Sequence, residues 1–286
     1  MSQPLHRRTV IPILAVVFGP AVLWFSGLWI HSLRPLPPMP HSSVRETTWS
    51  STRGAHLLPS GQDCRLSNTV ADRGNAGDGL EQEVFVEELN GKQALGWRWR
   101  APWQVMPSTA AYPELICGNR PWDEQAAALP GMPFHPGEKR VTVDYAIDLK
   151  ATGTYNMAFS LWAVSALPAS PSTVRCEVSI WIANSDQLPF GVRTTPVTVH
   201  GVLYDVYVYN HQHQPDGAHP NEWTYVAFVA RTPVLHGPLD ISAFLDRLQM
   251  MKILGSNTLV TDLELGNQVA QGTGIAEVQN FALRME

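Results

Sequence analysis

Apolar and polar residues alternate with a period of two along much of this chain, in short runs separated by Gly, Pro, Asn and Asp. Alternation of that kind sends successive side chains to opposite faces of a strand. It predicts strands over residues 83–86, 141–149, 156–164, 175–182, 197–208, 224–230 and 258–265, with turns between them. One stretch is spaced differently. Phe244, Leu245, Leu248 and Met251 recur at helical steps, which predicts a helix over residues 239–254 capped by Asp240 or Ser242. Many strands and one late helix predict an all-β fold, a jelly-roll β-sandwich. The sequence has no internal repeat.

The first 60 residues follow another pattern. Arg7 and Arg8 precede an uncharged run over residues 9–30. At ~1.5 Å per residue that run reaches ~30 Å, about one hydrocarbon core. Residues 1–8 are therefore expected in the cytoplasm and residues 9–30 as a transmembrane signal-anchor, with the rest exported by the positive-inside rule. Pro12 and Pro20 weaken this helix, whereas Trp24 and Trp29 suit an interface. A cleaved signal peptide is the alternative and would make the protein secreted, although no small-x-small site follows the run. The arginine pair also allows a twin-arginine signal. The stretch Arg34-Pro35-Leu36-Pro37-Pro38-Met39-Pro40 favours an extended spacer. Residues 31–60 are expected to form a linker and residues 61–286 the folded domain, on the periplasmic or outer side of the membrane.

Composition narrows the picture. A length of 286 residues allows one large β domain beside an anchor. Hydrophobic content of 44% against 16% charged excludes a disordered chain, and a net charge of −5 argues against a nucleic-acid partner. Ten Trp and seven Tyr are many for this length. Their rings stack on sugar faces but serve equally as core.

Candidate chemistry starts at Glu177-Val178-Ser179-Ile180-Trp181. With a period of two, Glu177, Ser179 and Trp181 share one face while Val178 and Ile180 point to the other. A carboxylate, a hydroxyl and a large aromatic make a poor core and a good floor for a sugar. Glu264, Gly266 and Gln268 share a face in the same way. Of the three cysteines, Cys64, Cys117 and Cys176, the last should point away from Glu177 as a packed thiol, and one disulfide among the three suits an oxidising compartment. His211, Gln212, His213 and His219 fall in a polar loop and read as a solvated hairpin tip. Zinc spacing, a Walker loop, a dinucleotide fingerprint and a nucleophile elbow are all missing, so no cofactor and no metal is expected.

Several landmarks occur in a fixed order: Gly96-Trp97-Arg98-Trp99, Ala111-Tyr112-Pro113-Glu114-Leu115-Ile116, Gly118-Asn119-Arg120-Pro121-Trp122, and Tyr155-Asn156-Met157-Ala158-Phe159-Ser160-Leu161-Trp162. Then come the Glu177 stretch, Trp223-Thr224-Tyr225-Val226-Ala227-Phe228, and Gly266-Asn267-Gln268-Val269-Ala270-Gln271-Gly272. On these landmarks the chain from about Gly61 onward resembles the family 12 glycoside hydrolases, which are endo-β-1,4-glucanases and xyloglucanases. The resemblance implies a concave sheet that forms a glucan cleft, with a β-1,4-linked glucan as partner. It also implies retaining hydrolysis by two carboxyl groups ~5–5.5 Å apart, one nucleophile and one acid/base.

Residue by residue, the resemblance puts Glu177 at the nucleophile. It puts Gln268 at the acid/base, where an amide has no acidic proton to give. Ser160 stands where the family has an aspartate beside the nucleophile, and Ser179 where it usually has Met. Val86-Glu87-Glu88-Leu89 stands where the family has an early Asn-Asn-x-Trp sugar platform. Trp181, Trp162 and Trp122 are the expected sugar-facing aromatics, and Asn156, Ser160 and Ser179 the expected polar substrate contacts. Glu264 could replace the missing acid only if the strand bulged, since four residues span ~13 Å. Three functions stay open: a glucan hydrolase with impaired or lost catalysis, a non-catalytic β-glucan-binding protein, and a structural β-sandwich.

Overall fold

The computed structural model describes residues 37–40, 46–52, 56–59, 63–70, 79–89, 92–103, 109–123, 129–212 and 222–286. The expected anchor over residues 9–30, together with His213 and His219, lies outside them. Among the described residues no helix is long and apolar enough to cross a membrane.

The strands are β1 (Glu46–Ser50), β2 (His56–Leu57), β3 (Cys64–Val70), β4 (Glu81–Leu89), β5 (Lys92–Ala101), β6 (Ala111–Gly118), β7 (Val141–Val164) and β8 (Val174–Ser185). They continue as β9 (Val192–Arg193), β10 (Val197–Val199), β11 (Val202–Gln212), β12 (Trp223–Ala230), β13 (His236–Asp240), β14 (Leu259–Val260), β15 (Asp262–Gly266) and β16 (Val269–Met285), with helix α1 (Ile241–Met250) before β14. Hydrogen bonding runs in the order β1-β4-β5-β16-β6-β15-β7-β8-β12-β11-β10. Every pairing on that path is antiparallel except β8 with β12. The result is the expected all-β fold with one helix.

Two long strands build both layers. Along β7, Val143, Tyr145 and Ile147 enter the same core as Met157, Phe159 and Leu161 from the strand's other half. The first half pairs with β13 and the second with β8 and β15, so β7 bends over the core. The bend is made at Gly153 and its β16 partner Gly272, with φ of 95° and 104°. A Cβ on Gly272 would lie 2.0 Å from the Thr152 carbonyl oxygen, and one on Gly153 would lie 2.2 Å from that of Gln271. Only glycine fits at either position.

Several expectations need correction. Residues 141–149 and 156–164 are not two strands but the two halves of β7. Residues 197–208 are a hairpin, β10 and β11, because His200 and Gly201 both take positive φ and reverse the chain. The stretch 258–265 breaks at Thr261 into β14 and β15. The helix is shorter than predicted: Leu239 belongs to β13, and Asp240 is the cap, accepting from the Ala243 amide at 3.2 Å. Ser242 bonds the Val141 amide and the Lys139 carbonyl instead. The sheet also begins before Gly61, because β1 pairs with β4 and β2 with β3 inside the stretch read as linker. Cys64 and Cys117 face each other across β3 and β6 and form the disulfide, and Cys176 is a buried thiol in the core.

Candidate active site

Residues of β8 divide between faces as their alternation requires. Val178 and Ile180 enter the main core, while Trp181 joins Ala158, Tyr225 and Ala227 on the concave side. Across β7, Glu177 lies opposite Trp162, Ser179 opposite Ser160 and Trp181 opposite Ala158. On the other side Glu177 lies beside Tyr225 of β12. The floor is therefore carboxylate and aromatic on the β8–β12 side.

The expected aromatics are not equally available. Trp181 is 1% exposed and donates to the Ser179 hydroxyl at 2.9 Å, so it props the floor from within. Trp162 is 7% exposed, held edge-on between Trp122 and Trp223 at ring separations of 4.4 and 5.7 Å. Trp122 is half-buried. Tyr207 and Tyr209 of β11 lie half-buried on the same concave cluster. Sequence reasoning missed them, although Tyr207-x-Tyr209 beside the Tyr225 strand carries the same period-two signal as Glu177 and Trp181. Of the stretch aligned with the early sugar platform, Val86 is 5% exposed and packs in the main core.

Glu177 is half-buried and accepts one hydrogen bond, from the Trp223 indole to Oε2 at 3.1 Å. Burial pushes its carboxyl up from 4.5 to about 7, against the opposing effect of the Trp223 donor. Among the described residues no second carboxylate contributes to that shift. Ser160 does not reach Glu177. Its hydroxyl meets Ser179 at 3.3 Å, because register places those two residues opposite each other.

Gln268 sits at the β15–β16 junction, held from several directions. Asn156 Nδ2 donates to Gln268 Oε1 at 2.8 Å, and Gln268 Nε2 donates to the Tyr112 hydroxyl at 3.3 Å. The Gln268 amide also donates to Asn156 Oδ1 at 2.8 Å. Its neighbour Asn267 accepts from the Trp97 indole and donates to the Asn156 carbonyl. Gly266 is needed just before, since a Cβ there would come within 2.6 Å of Glu114 Cβ. Tyr112 links the two halves of the site. Its phenol is pushed up to about 12 by burial, with the Glu177 charge adding to the rise.

Glu264 shares the floor face but is occupied elsewhere. It lies opposite Ser160, 3.8 Å from Arg120 Nε, within a buried group that includes Glu114, Asp123, Asp262 and Arg65. Arg120 meets Glu114 at 2.6 Å and Asp123 at 3.0 Å, and Asp262 Oδ1 accepts from the Trp162 amide at 2.8 Å. Burial holds Glu264 and Asp262 well above the carboxylate range, and one oxygen of each lacks a hydrogen-bond partner. Burial thus favours the neutral form of both carboxyls, and Glu264 holds its place on the floor face opposite Ser160. Among the described residues no group of three His, Cys, Asp or Glu side chains could hold a metal ion. His211 pairs with Glu222 at 2.9 Å on the exposed edge.

An all-β fold with a carboxylate and aromatics gathered on one face of its sheet has the parts of the glycoside hydrolase class of β-sandwich. Within that class the chain belongs to glycosyl hydrolase family 12, whose pattern it matches over residues 113–286. It is 25% identical over 206 residues to endoglucanase S of Pectobacterium parmentieri, covering 71% of this chain and 75% of that protein. Its fold is similar to that of the family 12 xyloglucanase from Bacillus licheniformis, with a TM-score of 0.74, 23% identity, and coverage of 84% of this chain and 100% of the other. Endoglucanase cel12A from Rhodothermus marinus superposes with a TM-score of 0.69 at 20% identity, covering 84% and 99% of the two chains.

Proposed function

We propose that this protein holds a β-1,4-linked glucan of the cellulose or xyloglucan type in its concave groove and hydrolyses it poorly or not at all. Glu177 stands at the nucleophile position and Gln268 at the acid/base position. The observation that carries this reading is the Gln268 amide, bonded at one end by Asn156 and at the other by Tyr112. An amide so placed cannot protonate a leaving oxygen or activate water. General acid–base assistance is worth ~10²–10⁴ in rate, and an ordinary glycosidic bond is cut more slowly by at least that factor without it. Export behind an N-terminal anchor over residues 9–30 belongs to the same proposal, supported by the Cys64–Cys117 disulfide.

The test uses the full-length chain. Affinity electrophoresis through xyloglucan and carboxymethyl cellulose reads binding, and reducing-end release reads cleavage, for wild type, Gln268→Glu and Glu177→Gln. Retarded migration of wild type with cleavage only by Gln268→Glu is the expected pattern. Cleavage by wild type at the rate of Gln268→Glu would overturn the loss of catalysis. Unretarded migration of all three would overturn glucan binding.

A further inference from the structure

We infer that the glucan this protein holds carries carboxylate groups, and that Arg193 and Arg231 at the far end of the floor recognise them. This rests on the glucan-binding role proposed above and adds the charge of the ligand to it.

Register builds this end of the floor. Trp181 of β8 lies beside Val229 of β12, and Val229 lies opposite Asp205 of β11. Asp205 therefore shares the face of Tyr207 and Tyr209, two and four residues further along its strand. Arg193 of β9 pairs with Tyr207 and reaches the same face, and Arg231 follows Val229 by two residues, just past the end of β12. Glu177 and Trp181 are ~13 Å apart along β8, and β11 is two strands away, ~10 Å. The two arginines thus stand roughly 16 Å from Glu177, within reach of another sugar of the same chain but not of the one at Glu177.

Charge at this end is unbalanced. Arg193 Nη2 donates to Asp205 Oδ1 at 2.5 Å, and Arg231 donates to the same oxygen through Nε at 3.1 Å and Nη2 at 2.8 Å. Arg231, with Arg193, holds the Asp205 carboxyl below its usual range, so two positive charges face one negative. Among the described residues, Nε and Nη1 of Arg193 and Nη1 of Arg231 meet no protein acceptor. Both side chains are open to solvent, at 51% and 44% exposure, and pairs so exposed add little to folding stability. The chain as a whole carries −5, so this local surplus opposes the overall sign.

The neighbours suit a sugar acid. Phe190, 62% exposed, stands edge-on to Tyr225 at 6.2 Å and lies on the same segment as Arg193. Gly191 between them takes a φ of 95°, and a Cβ there would lie 2.3 Å from the Val208 carbonyl oxygen, so only glycine lets the segment lie this close to β11. Aromatic rings give the apolar face of a sugar its platform, and a planar guanidinium meets a carboxylate through two parallel hydrogen bonds. A neutral glucan offers only hydroxyls here, and one arginine would be enough to balance Asp205.

The experiment is affinity electrophoresis of the full-length chain through carboxymethyl cellulose or hydroxyethyl cellulose, which share a backbone and differ in charge. Mobility is referred to a gel without polysaccharide. Wild type should bind carboxymethyl cellulose roughly threefold to thirtyfold more tightly, the range that two exposed ion pairs supply. That preference should shrink between about 20 and about 200 mM sodium chloride. Arg193→Gln and Arg231→Gln should each lower it and the double variant should abolish it, with retardation by hydroxyethyl cellulose unchanged. Lys150→Gln, which removes a charge from an exposed pair with Asp148 on the first half of β7, should keep it. Equal retardation of wild type in the two gels overturns this inference and leaves glucan binding in place. A preference that survives in the double variant, or that Lys150→Gln lowers as far as Arg193→Gln does, overturns it as well. Loss of hydroxyethyl cellulose binding in the double variant would mean that the arginines hold the backbone of the glucan, which also refutes their assignment to a carboxylate. Unretarded migration of wild type in both gels defeats this inference and the proposed function together.

Discussion

Replacing Glu177 by Gln should stabilise the protein at alkaline pH and leave it unchanged in acid. In the folded chain the carboxyl titrates at about 7 instead of 4.5, because burial disfavours its charge. Between those values the folded state binds more protons than the unfolded state, so stability falls as pH rises through the window. The cost of the glutamate fades below pH 4.5 and approaches its full value above pH 7. At ~1.4 kcal/mol per pH unit, the penalty is about 0.2 kcal/mol at pH 4, about 2 at pH 6 and about 3 at pH 8. These are ceilings, since relaxation and water entry soften the burial of a charge. The amide keeps an oxygen for the Trp223 indole and never ionises, so Glu177→Gln removes the penalty without removing that contact. For a domain of this size 1 kcal/mol moves Tm by about 2–4 °C, which gives about 6–12 °C at pH 8. Urea or thermal melts of both proteins at three pH values provide the measurement. A gain equal at pH 4 and pH 8 would mean that packing, not charge, is responsible. No gain at pH 8 would mean that Glu177 is solvated and that its pKa is ordinary.

Trp223→Phe keeps the ring beside Trp162 and removes the only hydrogen-bond donor to Glu177 among the described residues. The Glu177 midpoint should rise above 7 by about one unit, read from an NMR titration of the side-chain carboxyl; an unchanged midpoint would mean that the indole carries no charge stabilisation. Removing Cys64 and Cys117 together opens a loop closed across a sequence separation of 53 and should cost about 4 kcal/mol, measured by urea melts against the oxidised wild type. Gly272→Ala forces a Cβ against the Thr152 carbonyl at positive φ and should cost more than about 2 kcal/mol, whereas Gly237→Ala, with nothing within 4 Å, should cost only the strain of its backbone.

Period-two alternation was enough to place Glu177, Ser179 and Trp181 on one face and Cys176 on the other. It reports which face, not how deep, and so Trp181 could be assigned to the floor without its burial being foreseen. Depth depends on the curvature of the whole sheet. The order of landmarks located Gln268, but its lock comes from Asn156 and Tyr112, which are 112 and 156 residues away. Ser160 stood at the right spacing to serve Glu177, yet cross-strand register gave it Ser179. Strand β16 escaped notice because Gly272 and Gly274 look like turn punctuation. In the structure they are small for another reason: the Gly274 position is pressed by the Trp99 ring, with a Cβ there 2.3 Å from it. The hairpin was hidden because its turn is only the pair His200-Gly201, too short an interruption between two apolar runs to read as a break.

Strands β7 and β16 pair from Val141 with Met285 to Tyr155 with Val269, with register shifts at Val278–Asn280 and Val269–Gln271, and β7 then runs on into the cleft floor. A sandwich whose layers are joined only by loops can part them like the covers of a book. Here the binding cover and the spine are one piece of chain. Floor amides on β7 and amides at its far end should therefore exchange with deuterium through a single opening event, at the free energy of global unfolding. Evolution of a new ligand preference in such a molecule has little freedom to reshape the floor and must act through side chains and the loops above it.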